Sequence, residues 1–420
     1  MSVGVVIVGA GAAGVHTAVA LRERGYTGSV TLVGGEPHRP YDRPPLSKAV
    51  LRGQGRPGDA VFDIDFEDLG IGLAPGRTAR AVVPGERRLV TSRGDLAYET
   101  LVIATGADPV RLPGAPAHVL RTLDDAERLR AVLDARGELV IIGAGWIGAE
   151  LTTAAREAGC RVTVVEAAGA PLGGALPAEV AAPMAAWYAE AGAELRTGTR
   201  VAEVETDGVR LADGTRLRAD AVVVGVGARP ATDWLAGSGI ALGARGEVAA
   251  DAHLRASVPD VYAVGDCASF PSARYGQRLL VHHWDNAMLG ARAVAAHIAQ
   301  GPGTPVYDPV PYFWSEQFGR VVQYAGHAAP GDTVVWRGAA GGRDGRGPGT
   351  GGAGRGDGWS VCWTRGDRLT AVLAVDRPRD LAHGRRLITS GAAVEPRRVA
   401  DPDVPLKAAL REHAASTAGT

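Results

Sequence analysis

The sequence predicts an α/β fold with two Rossmann-like dinucleotide-binding domains and a C-terminal α+β domain. An unbroken apolar run ends in a glycine-rich turn near the start of the chain, over 5–14, and again near its middle, over 139–150. Each turn is followed by a stretch that can form a helix and then by a second apolar run, which is the order of a βαβ unit. After about residue 305 the pattern changes to short strands that are closed by one helix.

The length and composition are those of a globular protein with two or three domains. The chain has 420 residues, of which 46% are hydrophobic and 22% charged, and its net charge is -1. A net charge so close to zero gives no reason to expect a nucleic-acid or membrane partner. No run approaches the roughly 20 apolar residues of a membrane span, and the N-terminus enters a strand without a basic region and a cleavage site. We therefore expect a cytoplasmic location.

The first glycine-rich turn has the spacing of a dinucleotide-binding loop. The strand Val5–Val8 is followed by Gly9, Gly11 and Gly14. The first glycine makes the tight turn, the second lets the backbone approach a pyrophosphate, and the third lets helix and strand pack closely. Glu36 follows the next apolar run and is expected to bind a ribose. The stretch predicts one dinucleotide at the N-terminus of the helix.

The second turn, with Gly143, Gly145 and Gly148, opens a complete second unit. Its second strand ends in Glu166. A carboxylate at this place accepts hydrogen bonds from a ribose diol and repels a 2′-phosphate. Because 167–170 offer no arginine for such a phosphate, the sequence predicts a preference for NADH over NADPH. Two such units indicate two dinucleotides, or one in each of two similar domains.

A proline-rich segment over 37–48 follows the first unit. Only Lys48 and Lys407 are lysines among the 45 basic residues. Because arginine is the usual base of this chain, we expect Lys48 to fill a role that a guanidinium cannot fill. The prolines force extended or turn geometry up to Leu46 and allow a helix to begin near Ser47. The segment is interpreted as a wall of a cofactor site, with a plain surface loop as the alternative.

Further strand ends carry small or acidic residues that favour contact with a ligand. Small side chains there allow the backbone to approach a ligand closely, and an aspartate can bind a polyol such as the ribityl chain of a flavin. These residues are Ala104, Thr105, Gly106, Gly227, Gly265 and Asp266.

Two adjacent histidines, His282 and His283, precede a predicted helix that runs to about residue 299. Asp285 or Asn286 is expected to cap this helix. Adjacent histidines do not share a helical face, and no third ligand stands at metal-like spacing. The sequence therefore predicts no metal site.

The C-terminal part is predicted to be α+β rather than doubly wound. Its strands and its closing helix are predicted over 321–324, 333–337, 360–364, 369–375 and 381–388. The segment 338–358 is rich in glycine and arginine and has no apolar pattern. It is predicted to be a long flexible hairpin loop.

Taken together, these motifs resemble the FAD-dependent, NADH-using ferredoxin reductases that serve bacterial cytochrome monooxygenases and ring dioxygenases (putidaredoxin-reductase type). The resemblance covers essentially the whole chain. Besides the two fingerprints and the segment from Tyr41 to Lys48, it rests on 104–106, 121–123, 265–268, 284–287 and 313–315. It implies a glutathione-reductase-like arrangement, the cofactors FAD and NADH, and a two-iron two-sulfur ferredoxin as electron acceptor.

The resemblance also implies which residues hold the two cofactors. FAD would be bound by the first fingerprint with Ala13, and by Arg43, Lys48, Ala79, Arg121, Asp266 and Trp284. NADH would be bound by the second fingerprint with Ile147 and Glu166, and Glu150 would lie near the nicotinamide. Trp314, from the C-terminal domain, would lie near the flavin ring. Lys48, Glu150 and Trp314 are thus the expected catalytic residues, with Lys48 as the cation beside the reduced flavin.

The implied domain boundaries follow from the same family pattern. The FAD-binding domain is expected over 1–112 and 237–305, the NADH-binding domain over 113–236, and the C-terminal reductase domain over 306–420. Many relatives carry an acid at the position of Gly35, whereas here the acid is Glu36, one place later. Relatives often have Glu where this chain has His282, so we expect nicotinamide positioning or its pH dependence to differ.

The cysteines separate this interpretation from other flavin enzymes. Cys160, Cys267 and Cys362 form no CxxC pair and no metal-like cluster. Disulfide reductases need paired cysteines beside the flavin, and peroxide or coenzyme-A reductases need a single cysteine near the 37–48 segment. We therefore expect one-electron transfer to a protein carrier.

Two other functions stay open from the sequence. One is a redox-gated binding protein similar to relatives of apoptosis-inducing factor, in which flavin reduction changes partner contacts. The other is a direct NADH oxidase that makes peroxide. The sequence also leaves a monomer and a homodimer as alternatives.

Overall fold

The first strand, β1 (Val5–Val8), is the middle strand of a five-stranded parallel sheet. The computed structural model describes residues 4–338 and 358–411, in two units that divide between Asp308 and Pro309. In the first unit the strand order of this sheet is β18 (Val261–Ala263), β7 (Thr100–Ile103), β1, β2 (Val30–Val33) and β3 (Ile71–Ala74). Helices α1 (Ala12–Glu23) and α6 (Trp284–Gln300) pack against each other.

The register of this sheet brings the strand ends to one edge. Val8 at the end of β1 is aligned with Val33 of β2 and with Ile103 of β7. Because carboxyl ends of parallel strands meet at the same edge, Gly9 and Ala104 follow side by side. All four residues of β1 are buried, as expected for a strand that is covered on both faces.

A second parallel sheet repeats this design. Its strand order is β11 (Glu194–Arg196), β10 (Arg161–Val165), β9 (Glu138–Ile142) and β15 (Ala221–Val224). Helix α2 (Leu123–Asp134) precedes β9, and α3 (Trp146–Ala158) connects β9 to β10. Thr122 caps α2 by accepting a hydrogen bond from the Asp125 amide at 3.1 Å. The prediction of two Rossmann-like units is confirmed.

Smaller sheets complete the first unit. Three antiparallel strands, β4 (Ala79–Val83), β5 (Arg88–Thr91) and β6 (Leu96–Ala97), cover the core beside the first sheet. The others are β12 (Val201–Glu205), β13 (Gly208–Leu211) and β14 (Arg216–Arg218), then β17 (Val248–Ala249), β19 (Ala268–Ser272) and β20 (Gln277–Leu280), and the pair β8 (Ala107–Pro109) and β16 (Ala228–Pro230). Two short helices, α4 (Ala178–Ala181) and α5 (Ala186–Glu190), precede β11.

The second unit is an antiparallel sheet with two helices. Its strand order is β21 (Tyr312–Gln317), β22 (Arg320–Gly326), β25 (Arg368–Val375), β24 (Trp359–Arg365) and β23 (Thr333–Arg337), followed in the chain by α7 (Pro378–Ser390) and α8 (Pro396–Ala400). Arg337 is buried and pairs with Asp380 at 3.4 Å. It also donates to the carbonyls of Asp401 and Val404, at 2.7 Å and 2.9 Å. The C-terminal segment is therefore held by the two terminal nitrogens of a buried guanidinium.

The start of α6 differs from the prediction. The helix begins at Trp284, and its N-cap residue is His283, without a capping side chain. The expectation that Asp285 or Asn286 caps the helix is therefore wrong. The reason is that Asn286 lies within the first turn, where its amide oxygen accepts a hydrogen bond from Tyr307 at 2.8 Å.

The proline-rich segment also differs in detail. A short 3-10 helix, Pro44–Ser47, ends at Ser47 instead of beginning there, because two prolines suit the first positions of a helix. The predicted loop over 338–358 lies outside the described residues except for its ends, Gly338 and Gly358. Among the described residues, no helix combines the length and apolarity that a membrane crossing requires. The boundary between the FAD and NADH domains stays a prediction.

Candidate nucleotide-binding and redox site

The first glycine-rich loop combines two crowded glycines with an open one. Gly9 has φ +114°, and a Cβ atom there would lie 2.1 Å from the carbonyl oxygen of Ala104. A Cβ at Gly14 would lie 1.8 Å from the Gly9 oxygen. At Gly11, in contrast, the nearest atom is Nε of Arg43, 4.0 Å away. Gly9 and Gly14 are thus required by packing, whereas Gly11 leaves space at the N-terminus of α1.

The second loop has the same geometry. Gly143 has φ +100°, and a Cβ at Gly148 would lie 2.0 Å from the Gly143 oxygen. Nothing lies within 4 Å of a Cβ at Gly145. Each loop therefore leaves an open cradle before its helix, and this cradle fits a pyrophosphate that is bound by backbone N–H groups.

Several predicted FAD residues converge on the first loop. A Cβ at Gly265 would lie 3.0 Å from the Cβ of Ala13, so the strand end that carries Asp266 adjoins the loop. Asp266 pairs with Arg121 at 3.3 Å, and a Cβ at Gly106 would lie 3.0 Å from the same guanidinium. Burial, followed by the nearby Arg43, lowers the pKa of Arg121, whereas Asp266 raises it.

Between Ala104 and Gly106 the chain is held by one side-chain hydrogen bond. The hydroxyl of Thr105 donates to the carbonyl of Ala231 at 2.8 Å. Ala79, another predicted FAD residue, begins β4 and is only partly buried beside the core of the first unit. Its contact with FAD stays a prediction.

The carboxylate of Glu36 is bound by its own segment. Oε1 lies 2.9 Å from Nη2 of Arg43, and Oε2 accepts a hydrogen bond from the hydroxyl of Tyr41 at 2.5 Å. The same hydroxyl accepts from the amide of Leu123 at 2.9 Å. Burial raises the pKa of Tyr41 to about 12, so this hydroxyl keeps its proton. Glu36 therefore fixes Arg43, which also donates to the carbonyl of Arg121.

Lys48 and Glu150 come together although they are distant in the sequence. The ammonium Nζ of Lys48 lies 3.0 Å from each carboxylate oxygen of Glu150. The hydroxyl of Ser47 donates to Oε2 of the same carboxylate. Because Glu150 belongs to α3 and Lys48 follows the 3-10 helix Pro44–Ser47, this cluster joins the two fingerprint regions. The structure thus brings together two of the three predicted catalytic residues.

Glu166 stands beside the second loop. Its Oε2 accepts the amide of Ala144 at 2.7 Å, and its Oε1 accepts the amide of Ala168 at 2.8 Å. The carboxylate is therefore held at the end of β10, with acceptor capacity left for a ribose diol. Ile147 is 42% exposed at the start of α3. Gly227 has φ +112° and an open Cβ position, and its contact with a ligand stays a prediction.

The start of α6 carries Trp284 and, just before it, two histidines that lie near Asp266. The indole Nε1 of Trp284 donates to Oδ1 of Asp42 at 2.9 Å. Burial lowers the pKa of His282, and Asp266 opposes this shift. The buried Nε2 of His282 has no hydrogen-bond partner within the part of the chain that the structure describes. Burial lowers the pKa of His283 to about 4.

Trp314 lies in the second unit, on β21. Its indole stacks on Tyr312, with ring centroids 6.3 Å apart and planes at 19°. The guanidinium of Arg385 lies 5.1 Å from the centroid of the Tyr312 ring. The predicted contact of Trp314 with a flavin stays a prediction.

Three contributors to the site were not found from the sequence. Ser47, Tyr41 and Asp42 make the hydrogen bonds to Glu150, Glu36 and Trp284 that hold these groups in place. All three lie in the proline-rich segment, which the sequence identifies as a wall of the site. Glu150 and Trp284, the partners of Ser47 and Asp42, lie 103 and 242 positions away, so no local pattern marks these two contacts.

The cysteines form no disulfide. Cys160, Cys267 and Cys362 are each buried and free, and burial raises the pKa of the thiols of Cys267 and Cys362, the latter to about 12. Among the described residues no group of His, Cys, Asp or Glu side chains is placed to hold a metal ion.

Two equivalent nucleotide loops, joined by a buried Lys–Glu pair, define a dinucleotide-dependent oxidoreductase. Residues 3–291 match the model of the pyridine nucleotide-disulphide oxidoreductase family, and 312–347 with 349–410 match that of the reductase C-terminal domain. The chain belongs to the pyridine nucleotide-disulphide oxidoreductase family, in its ferredoxin reductase branch. It is an NADH-dependent flavoprotein that uses FAD and NAD(H).

Individual relatives agree over nearly the whole chain. The chain is 35% identical to rhodocoxin reductase of Rhodococcus erythropolis, and the alignment covers 97% of this chain and 95% of that protein. It is 36% identical to the ferredoxin–NAD(+) reductase component of the p-cumate 2,3-dioxygenase system of Pseudomonas putida. This alignment covers 96% of this chain and 97% of that protein. Among solved structures, the covalent putidaredoxin reductase–putidaredoxin complex matches with TM-score 0.88 at 33% identity, over 96% of this chain and 97% of that one.

Proposed function

We propose that this protein passes electrons from NADH through FAD to a two-iron two-sulfur ferredoxin, which supplies a monooxygenase or a ring-hydroxylating dioxygenase. The observation that carries the proposal is the buried contact of Lys48 with Glu150 between two open nucleotide loops. The relatives support the acceptor, because they include dioxygenase ferredoxin reductase components and a reductase solved with its putidaredoxin.

The first loop is proposed to hold FAD and the second NADH. Around the first loop, Arg121 and Asp266 supply a donor and an acceptor for the ribityl and phosphate groups, and Arg43 is presented by Glu36. Bound there, FAD would supply a hydride acceptor for NADH, and on its reoxidation the two electrons would pass singly to the ferredoxin with release of one proton. Gly11 leaves the space that the pyrophosphate needs.

Lys48 is proposed as the cation that faces the negative charge developing on reduction. Its side chain is 15% exposed and that of Glu150 is 3% exposed. A fixed ammonium in such a dry site acts without the reorganisation that water would need. Glu150 holds this ammonium in one place. Because Glu150 lies in the first turns of α3, it stays close to the second glycine-rich loop.

Glu166 is proposed to select NADH. Its two oxygens already accept the amides of Ala144 and Ala168, so the carboxylate cannot turn away from the loop without losing both bonds. A 2′-phosphate at this place would meet a fixed negative charge.

The remaining assignments complete the proposal. Trp284 and Ala79 are proposed to line the FAD site. Ile147 and Gly227 are proposed to line the NADH site, His282 to lie near the nicotinamide, and Trp314 to lie near the flavin ring. The three free cysteines, which offer no paired thiol for disulfide chemistry, favour a carrier protein as acceptor and a reducing compartment such as the cytoplasm. A monomer or a homodimer is proposed as the working form.

A reconstitution tests the acceptor. The holoenzyme is mixed with NADH and cytochrome c, alone, with purified two-iron ferredoxins, and with a four-iron ferredoxin as the control. We expect cytochrome c reduction only with a two-iron ferredoxin, and with one NADH consumed per two electrons delivered. Peroxide formation without any carrier would identify an oxidase instead. Slow NADH oxidation at a rate that no ferredoxin changes, with a long-lived reduced-flavin complex, would identify a redox-gated binding protein.

A further inference from the structure

Ser47 belongs to a buried polar cluster that connects the two nucleotide-binding regions. Its hydroxyl donates to Oε2 of Glu150, and the next residue, Lys48, bridges both oxygens of that carboxylate at 3.0 Å. Ser47 is 5% exposed and Glu150 is 3% exposed. A neighbouring acceptor, the carbonyl of Pro44, is 3.4 Å from the Ser47 oxygen. Because a hydroxyl has only one proton, Ser47 donates it to the closer of the two acceptors, which is the Glu150 carboxylate.

A buried carboxylate needs donors, and this one receives them from consecutive residues of one segment. Leaving a charged acceptor without a partner costs more than a single hydrogen bond contributes. Because an ammonium is a flexible point charge, Lys48 by itself does not define one orientation of the carboxylate. The Ser47 donor fixes one oxygen, so the other oxygen and the ammonium take one defined arrangement.

We propose that Ser47 is a positioning residue for hydride transfer, which fixes the Glu150 carboxylate and through it the Lys48 ammonium. The inference rests on the proposed role of Lys48 beside the flavin. Ser47 is not part of either nucleotide loop. Its removal therefore changes the rate at which NADH reduces the flavin and leaves NADH binding nearly intact.

The chain just after the 37–48 segment has a second contact with α3, and this contact serves as a matched control. Nη2 of Arg52 lies 2.9 Å from Oε1 of Glu157, two helical turns beyond Glu150 on α3. Glu157 is 48% exposed. The variant Glu157→Gln loosens the attachment of the segment to α3 without touching the Glu150 cluster. It separates a general docking effect from positioning of the ammonium.

The test compares Ser47→Ala, Ser47→Thr and Glu157→Gln as holoenzymes in stopped-flow reduction by NADH. We expect Ser47→Ala to lower the limiting rate constant about tenfold, with the dissociation constant for NADH within twofold. We also expect the flavin midpoint potential of Ser47→Ala to fall by about 30 mV, which corresponds to a tenfold weaker preference of the protein for the reduced flavin. Ser47→Thr retains the hydroxyl and recovers most of the rate, and Glu157→Gln reacts like the wild type.

A double-mutant cycle keeps the inference testable if Ser47→Ala alone perturbs folding. If Ser47 acts through Glu150, Ser47→Ala adds nothing further in a Glu150→Ala background. Additive effects, or equal slowing by Ser47→Ala and Glu157→Gln, would overturn the positioning role. Lys48→Ala is measured in parallel: normal reduction by this variant removes the proposed role of Lys48, whereas slow Lys48→Ala with a normal Ser47→Ala removes that of Ser47 alone.

Discussion

At the scale of single residues, the ammonium of Lys48 is the group on which the proposed chemistry most depends. It is one of two lysines in the sequence and is held by both oxygens of Glu150. A guanidinium would spread its charge over a plane and would need a wider site. This combination of rarity, burial and a fixed partner distinguishes it from the surface ion pairs of the chain.

Removing this ammonium should slow flavin reduction. We expect Lys48→Ala to lower the rate constant for reduction by NADH roughly tenfold or more, about 1.4 kcal/mol, with FAD still bound. The rate is measured by stopped-flow absorbance and the FAD content by the absorbance ratio of flavin to protein. Wild-type rates in a variant that retains FAD would contradict the role.

Glu166 sets the second prediction at this scale. We expect Glu166→Arg to shift the ratio of kcat/KM for NADH over NADPH by at least about tenfold toward NADPH, because the repelling carboxylate is replaced by a phosphate ligand. The variant also loses the two backbone bonds to Ala144 and Ala168. KM for NADH therefore rises as well. Glu194→Arg, an exposed acid on the adjacent strand, is the control and should leave the ratio unchanged.

His283 gives the protein a defined acid sensitivity. Burial lowers its pKa from 6.5 to about 4, so the unfolded chain binds more protons than the folded one between these values. Stability from this group is complete above about pH 6.5 and is lost as the pH falls toward 4. We expect the thermal midpoint to drop over this window, and His283→Asn to reduce the slope. An identical slope in both proteins would contradict the assignment.

At the scale of structural elements, the two glycine-rich loops separate packing from binding within one motif. A Cβ at Gly148 would meet the Gly143 oxygen at 2.0 Å, whereas a Cβ at Gly145 meets nothing within 4 Å. The backbone of Gly145 has φ -74°, which any residue can adopt. The same spacing of glycines therefore serves two physical purposes.

This difference predicts opposite phenotypes for two similar variants. We expect Gly145→Ala to keep the thermal midpoint but to raise KM for NADH roughly tenfold, because the methyl group fills the pyrophosphate cradle. Gly148→Ala should lose about 1–3 kcal/mol of stability from overpacking. Both are measured by thermal unfolding and by NADH titration. Equal destabilisation by the two substitutions would contradict the open cradle at Gly145.

The regular elements could be predicted because their signals are local. Both βαβ units follow from apolar runs, glycines and a strand-end acid, and their helices and strands lie where the pattern places them. Strand β21 was not predicted, because most of its side chains are only half-buried and show no alternation. The cap of α6 was assigned wrongly because Asn286 bonds to Tyr307, which follows much later in the chain.

The site could be predicted only as a set of residues and not as a set of contacts. Lys48 and Glu150 were both expected there, but 102 positions separate them, and no periodic pattern reports such a pairing. Nothing marked Ser47 itself as a site residue, because a serine beside prolines is ordinary in a turn. The engagement of Glu36 by Arg43 and Tyr41 is likewise visible only in three dimensions.

At the scale of the whole molecule, the segment between Gly338 and Gly358 can be replaced to test whether the sheet of the second unit depends on it. A Cβ at Gly338 would lie 3.4 Å from the Gly358 oxygen, so the two ends meet at the end of the pair β23–β24. A two-residue turn can join such ends. Replacing 339–357 with Asn-Gly should therefore leave the described sheet intact.

We expect this shortened protein to bind FAD and to be reduced by NADH at the wild-type rate. FAD content, thermal midpoint and stopped-flow reduction are the measurements. A changed KM for ferredoxin with normal flavin reduction would assign the segment to the partner. Loss of bound FAD would show instead that the segment supports the cofactor site.

Helix α3 also fixes the position of Glu150 relative to the second glycine-rich loop. It begins at Trp146, directly after the open Gly145, and carries Glu150 four residues later, an axial distance of about 6 Å. One inserted residue between these points would turn Glu150 by about 100° around the helix axis, away from Ser47 and Lys48. The number of residues in this turn thus sets the distance and angle from the second glycine-rich loop to the Lys48 ammonium. We therefore expect an insertion in this turn to slow flavin reduction far more than a substitution does.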